Sequence, residues 1–503
     1  MLWPPRQPPP APRRLPAWAP TAIVALVAAA LYARCVFFGF TGLDDRDLIV
    51  DDQAYLRGSP SILSAISRSY MHAVDARHPY WRPLVTLSYA MDSRWSGIAA
   101  AGYHATNVAV HALASALAFA LLRRFFRPPL ALTAALVFAA HPVLASAIAW
   151  IPGRNDLLLA VFAIGAWLSF ARWLDAPSRL PQAVHASCFA LALLTKETAF
   201  AIPFVCLAHL ALLRPEARGR VAGFVLSWAA LIAARCMARP ITGDAAGGGL
   251  LDDARLFAVG VGKVLVPFNP STIAARTDLP YWPGLVAIAA MAGAGLALPG
   301  VRRRVQALGA AAFVLFLAPA LAVPGTLVLD HRFYLPALGL IVAAAEIVRC
   351  LATEPRVFAA FAGVTLCVLG GLTLARETSF VNQKAFARDA VAASPHCGLA
   401  HLALGRSYQT EGASDRAIAE YEAALTLGAS EVVHNNIAVV YMGESRWREA
   451  EAELREEIAQ NPDFARAYRN LAIVLRRQGR DAEAHAADRK AEDLAAEDSP
   501  DPE

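Results

Sequence analysis

The chain is poor in charge: 17% of its 503 residues are Asp, Glu, Lys or Arg, while 57% are hydrophobic. Soluble domains carry about 25% charged and 45–50% apolar residues, so an ordinary soluble protein is excluded. Lysine is scarce beside arginine, and the net charge of +5 comes mostly from arginines that flank apolar runs. Membrane topology accounts for that placement better than nucleic acid does, and no nucleic-acid partner is expected. The seven cysteines include no CxxC pair. Cys35, Cys188, Cys206, Cys350 and Cys367 lie in apolar runs as small hydrophobes, which leaves no disulfide framework. His104 and His111 stand seven apart on one helical face, but no carboxylate or cysteine sits at a suitable spacing. Packing or a cavity hydrogen bond is therefore preferred over a metal pair. The glycine-rich "GDAAGGG" at 243–249 lacks the GK[ST] ending of a phosphate loop and reads as a flexible outer loop. Neither a metal nor a cofactor is expected.

What the chain has instead is long apolar runs of roughly 18–24 residues, and about 20 helical residues cross a bilayer core of about 30 Å. A Pro/Arg-rich leader at 1–16, with Arg6, Arg13 and Arg14, precedes a first run too long for a signal-peptide core, so an uncleaved first span is expected at 17–40. Further spans are expected near 101–123, 128–150, 155–174, 182–195, 197–214, 219–237, 283–299, 305–324, 333–351 and 356–375. With the N-terminus inside, the inner loops "RRFFR", "RWLDAPSR", "RPEARGR", "RRR" and "RCLATEPR" are all basic, as the positive-inside rule requires. That agreement holds if 254–270, interrupted by Gly260, Gly262 and Lys263 before Pro267, enters the membrane only in part. Eleven crossings and one partial one send the C-terminal part outward. Twelve full spans with a cytoplasmic tail are the alternative. His141–Pro142 should bend the third span, because proline removes a helical hydrogen bond.

From about residue 398 a different pattern begins, repeating with a period of about 34 residues. Leu404, Gly405, Tyr408, Ala417, Tyr421 and Ala424 form the first unit. Ile437, Ala438, Tyr441, Ala450, Leu454 and Pro462 follow in phase, then Tyr468, Leu471, Ala472, Leu475, Ala484 and Ala491. These residues resemble the tetratricopeptide repeat, an array of paired helices that commonly binds peptides in a concave groove; a spacer or oligomerisation module is the plainer reading. Three repeats are placed at 381–493, with an acidic disordered tail at 494–503.

The polar residues then collect on one side. The first outer loop, 41–100, holds Asp44, Asp45, Asp47, Asp51 and Asp52, together with Arg82 and Asp92. "GRND" brings Arg154 and Asp156, "TKET" brings Lys196 and Glu197, and "DHRFYLP" brings Asp330, His331, Arg332 and Tyr334. Charges at the ends of apolar helices are costly, so four clusters on one side fit a polar cavity better than four unrelated surface loops. Arg82, Arg154, Lys196 and Arg332 suit a phosphate, and a nearby aspartate suits a general base. That combination fits transfer from a lipid-linked phosphate donor, with the charge that develops on the leaving phosphate held by the cations. Asp44 and Asp45 can also merely start a loop helix, since aspartate favours helix N-caps. Asp47, Asp51 and Asp52 are read as loop residues of that plain kind.

Taken in order, the "DD" after the first span, "WRPLVTLSYAMD", "GYHATNVAVHAL", "HPVLASAIAWIPGRNDLL", "LLTKETAF", "DHRFYLP" and the repeats cover nearly the whole chain. The series resembles the GT-C superfamily of integral-membrane glycosyltransferases. Within it, the likeness is to the tetratricopeptide-repeat O-mannosyltransferases (TMTC-like) and their bacterial relatives. The resemblance implies an all-α fold: a polytopic transmembrane GT-C-like domain at 17–380, followed by a tetratricopeptide-repeat α-solenoid. It implies a polyprenyl-phosphate-linked sugar donor, a protein or glycan acceptor that the repeats could hold, and surrounding membrane lipid. It also implies Asp44 as catalytic base with Asp45 as its partner, and Lys196, Glu197 and Arg332 lining the donor site. In "DHRFYLP" relatives more often carry a glutamate before the arginine, which leaves Arg332 and Tyr334 as stronger candidates than His331.

Arginine over lysine and abundant alanine fit a bacterial inner-membrane protein with its site on the outer side. The alternatives are a membrane-anchored repeat adaptor without activity, and a transporter. A transporter should show paired, internally similar halves, and no such duplication is seen.

Overall fold

The computed structural model describes residues 16–498, except 59, 71–79, 239–249, 268–269, 322–326, 352–353 and 430–431. Most of the Pro/Arg leader, the "GDAAGGG" loop and residues 499–503 therefore lie outside the described residues.

Among the described residues, six helices are long and apolar enough to cross a membrane: Ala19–Phe37, Ala100–Leu122, Ile151–Asp175, Arg303–Leu321, Asp330–Leu351 and Pro355–Phe380. A seventh span is made of Pro128–Ala139 and Pro142–Ala149, which meet at 44°. The break falls where Pro142 has no N–H to donate, as expected from the sequence. His141 secures it, with Nε2 2.8 Å from the Val264 carbonyl. Glu197–Leu213, Ala222–Ala238 and Trp282–Ala297 are shorter apolar helices. The expected span at 182–195 is the helix Arg179–Leu193. At about 1.5 Å per residue it is shorter than a bilayer core about 30 Å thick. The expected segments thus fall on helices, of which six, or seven with the bent pair, are long and apolar enough to cross, and the protein is a multi-pass membrane protein.

Burial distinguishes the centre of the bundle from its rim. The apolar window of Ile151–Asp175 is 72% buried, whereas that of Pro355–Phe380 is 17% buried. On the latter helix Val357, Phe361, Val364, Val368 and Leu372 are exposed at helical spacing, an apolar stripe suited to lipid. Arg303–Leu321 and Tyr334–Leu351 approach until their backbones touch: a Cβ on Gly309 would lie 2.6 Å from the Gly339 carbonyl oxygen. Small residues permit such contact between membrane helices.

The segment expected to enter the membrane only in part is the helix Leu250–Leu265, which starts four residues before the expected 254. Lys263, near its end, is buried and donates to Asp330 Oδ1 (2.7 Å) and Ser271 Oγ (2.9 Å). Ala274 and Ala275 then pair antiparallel with Val328 and Leu327, a two-residue bridge within an otherwise helical fold.

After Pro355–Glu377 the chain forms Gln383–Ala393 and three helix pairs. These are Gly398–Thr410 with Ser414–Thr426, Val433–Gly443 with Trp447–Gln460, and Ala465–Arg477 with Asp481–Asp498. The in-phase small residues have a steric reason: a Cβ on Gly405 would lie 2.6 Å from the Tyr421 ring. The first pair shares the membrane bundle's core through Cys397, Ala400, Ala403 and Leu404, while Ala438, Leu454, Leu471 and Ala484 belong to a separate one. The last helix runs to Asp498, so residues 494–498 are helical rather than a disordered tail. Their acidic, alanine-rich sequence simply continues a good helix former.

Candidate active site

The first span gives way to a loop held from two sides. Gly39 N donates to the Val381 carbonyl (2.9 Å), which ties the loop to the segment before Gln383–Ala393. Gly42 takes φ +77°, which favours glycine, and the Gln383 side chain packs where a Cβ would lie. Asp45 is buried and closes the turn. Its Oδ2 accepts from Thr41 N (2.5 Å) and Thr41 Oγ1 (3.1 Å), and its Oδ1 from Gly42 N (3.0 Å). Burial outweighs these three donors and pushes its carboxyl up to about 6.

Asp44 has a different environment. It is only partly buried, and burial, then the neighbouring carboxylates of Asp45 and Asp47, push it up to about 6, with Arg82 opposing. One residue of the doublet is thus occupied by backbone and the other keeps an open side next to a cation. Asp47 is raised by burial and lies within electrostatic reach of Arg406 and Arg466 of the C-terminal helices. Asp51 pairs loosely with Arg46 at 3.6 Å.

Arg82, the cation beside Asp44, belongs to a cluster of charges. Arg82 Nη2 donates to Glu197 Oε2 (3.2 Å), and its guanidinium lies over the rings of Tyr80 (4.6 Å) and Tyr70 (5.1 Å). Lys196 Nζ donates to Asp156 Oδ1 (2.6 Å) and Asn155 Oδ1 (3.2 Å). Arg332 acts electrostatically on Lys196, and its own charge feels Asp156, Arg82 and Arg276. His331 Nε2 is 4.0 Å from Asp156 Oδ2, with its ring 5.1 Å from that of Trp150. Several polar atoms here are buried without a hydrogen-bond partner among the described residues: Arg82 Nε, Arg276 Nε, Asp156 Oδ2 and His331 Nδ1. Buried polar groups are normally satisfied, so this concentration marks a place where another polar group fits. The two unpartnered guanidinium nitrogens suit an anion there.

Two expected site residues stand elsewhere. Arg154 is fully buried: its Nε donates to Asn107 Oδ1 (2.8 Å), Nη2 to the Tyr103 carbonyl (2.7 Å) and Nη1 to Ser88 Oγ (3.3 Å). Its Nη1 also pairs with Asp92, and the plane lies 4.7 Å from the Tyr89 ring. With its donors engaged in this way it is a strut between helices, not a substrate ligand. Tyr334 is likewise buried, its hydroxyl 2.7 Å from His111 Nδ1. The tyrosine lies inside the bundle because it opens a helix whose first turn is buried on all sides. His104 Nε2 lies 3.4 Å from the Gly39 carbonyl, so each histidine of the spaced pair has its own partner. Asp44, Arg82, Asp156, Lys196, Glu197 and Arg332 do come together. Arg276, Tyr70 and Tyr80 join them and were not anticipated; a lone arginine in "STIAARTD" carries no motif.

No protein-family model matches the chain. Protein O-mannosyl-transferase TMTC3 of Mus musculus is 26% identical over 193 residues, 37% of this chain and 21% of that protein. TMTC1 of Homo sapiens is 30% identical over 209 residues, 38% of this chain and 24% of that protein. Tmtc1 of Drosophila melanogaster is 29% identical over 184 residues, 36% of this chain and 21% of that protein. The match thus spans between a fifth and a quarter of those relatives' length. The crystal structure of ArnT from Cupriavidus metallidurans bound to undecaprenyl phosphate covers 90% of this chain and 81% of its own, at 13% identity and a TM-score of 0.44. That likeness is too distant to carry an argument. Over more than a third of its length, the chain is similar in sequence to the TMTC protein O-mannosyl-transferases.

Proposed function

We propose that the protein is an integral-membrane glycosyltransferase. It moves a sugar, mannose or another hexose, from a polyprenyl-phosphate carrier to a hydroxyl of a protein or glycan. Asp44 takes the proton of the acceptor hydroxyl as its oxygen attacks the anomeric carbon. The bond from that carbon to the phosphate oxygen breaks, and the polyprenyl phosphate leaves with the electron pair. Arg82, Lys196 and Arg332 hold the charge that develops on the leaving phosphate. A single displacement of this kind inverts the anomeric centre.

One observation carries the reading: a partly open carboxylate stands beside a buried group of cations that outnumber their carboxylate partners. At neutral pH a carboxyl titrating near 6 is mostly ionised and able to accept a proton. The similarity to O-mannosyl-transferases supports the same class of chemistry. The helix pairs read as tetratricopeptide repeats, and Asp47 lies near their arginines, which suits an acceptor held between loop and repeats. The basic inner loops support a site on the outer face of a bacterial inner membrane.

The test is sugar transfer in membranes that carry the full chain, with labelled polyprenyl-phosphate mannose, wild type against Asp44→Asn. Transfer by the wild type and none by the variant is the expected result. Transfer that persists in Asp44→Asn assigns the base elsewhere, and none from either form with several donors leaves the repeat adaptor.

A further inference from the structure

Arg276 belongs to no motif, yet the fold fixes it with care. It lies on the segment between the helices Leu250–Leu265 and Trp282–Ala297, and that segment is pinned on both sides of it. Upstream, Ser271 N donates to Asp330 Oδ2 (2.9 Å), and Ala274 and Ala275 pair with Val328 and Leu327. Ala275 N donates to Ser394 Oγ (2.9 Å). Downstream, Asp278 accepts from His396 N (2.9 Å) and from Ser394 Oγ, and lies 2.7 Å from His396 Nδ1. A side chain between such fixed points has little freedom to swing away.

The guanidinium so placed acts on Arg332, although like charges repel. Arg276 Nε is buried with no hydrogen-bond partner, and among the described residues no ion pair reaches it. Of the carboxylates nearby, Glu197 accepts from Arg82 and Asp156 Oδ1 from Lys196, while Asp156 also acts electrostatically on Arg332. Among the described residues neither arginine has an ion pair of its own, and two arginines within electrostatic reach of each other are a costly arrangement unless an anion completes it. An arginine fork suits two oxygens of one phosphate.

We infer that Arg276 is a ligand of the donor's phosphate, sharing it with Arg332. This rests on the donor reading above, and it adds a residue supplied by the segment joined to the first C-terminal helices.

The test is binding by the full chain in detergent, with undecaprenyl phosphate, undecaprenol and inorganic phosphate as probes. Wild type should prefer undecaprenyl phosphate over undecaprenol. Arg276→Gln should lower that preference roughly tenfold or more while undecaprenol binding stays unchanged, as expected for loss of a charged hydrogen bond. Arg276→Lys, which keeps the charge and loses the fork, should fall between. Inorganic phosphate that competes equally well assigns the cluster to free phosphate and overturns the lipid source. If both variants keep the wild-type preference, or lose both lipids alike, Arg276 is not a phosphate ligand and the inference fails while the donor reading stands. If the wild type itself shows no preference, the donor reading fails first.

Discussion

Asp44 and Asp45 are adjacent and both are pushed up to about 6, but only Asp45 is enclosed by backbone donors. Burial and like charge raise Asp44 from an ordinary 3.8 to about 6. A rise of about two units corresponds to about 3 kcal/mol against the ionised folded state, since one unit is about 1.4 kcal/mol. Asp44 keeps an open side, so solvent screening cuts this to about 1–2 kcal/mol. Asp44→Asn removes the charge at nearly constant volume and should therefore stabilise the protein by about 1 kcal/mol. It should also lower transfer by about 10²–10⁴-fold, the usual worth of a general base. The sign against pH follows. The folded state holds this proton more tightly than the unfolded chain, so the native aspartate's penalty is absent below about 4 and complete above about 6. The variant's advantage should appear at pH 7.5 and vanish near pH 4. Although burial raises its carboxyl too, Asp45→Asn should destabilise, because the carboxylate accepts from Thr41 and Gly42 and an amide presents a donor to those N–H groups. A loss of about 1–3 kcal/mol is expected. The assay is the thermal midpoint of the purified chain in detergent at both pH values, beside transfer rates. An Asp44→Asn protein that is less stable at pH 7.5 would refute the argument and make Asp44 a loop cap.

With wild type, transfer efficiency should fall about tenfold per pH unit below about 6 as Asp44 takes up a proton; a flat profile from 5 to 8 excludes it as base. Arg154→Gln leaves buried Asp92 without its cation, so the thermal midpoint should drop by the equivalent of about 3–5 kcal/mol. Arg82→Gln, by contrast, should fold and lose transfer, so equal destabilisation by both would remove the distinction between strut and ligand. Ser445 takes φ 60° where Gly412 and Gly479 occupy the corresponding turns. Ser445→Gly should stabilise the C-terminal helices by about 0.5–1 kcal/mol, read by thermal denaturation.

The spans were legible because a bilayer imposes one simple demand, a run of apolar residues long enough to cross it, and the sequence states that directly. The bend at His141–Pro142 was legible for a similar reason, since proline acts locally. The site was legible only in part. Six of the nine singled-out residues gather at one place, because charges at span ends are costly enough to be placed with purpose. Residue type could not separate Arg154 from Arg82. Both follow an apolar or aromatic stretch and precede a helix, yet one is enclosed by Asn107, Asp92 and Tyr103 while the other keeps an unpaired Nε. That difference depends on side chains from helices far apart in sequence. Tyr334 failed for the same cause, since its partner His111 is 223 positions away. Arg276 went unseen because nothing local marks it. Its position is set by a bridge to Leu327–Val328 and by Asp278 bound to Ser394 and His396, contacts that exist only once the chain has folded back on itself. The motifs therefore identify the kind of chemistry, whereas tertiary pairing decides which cation is left free to take part in it.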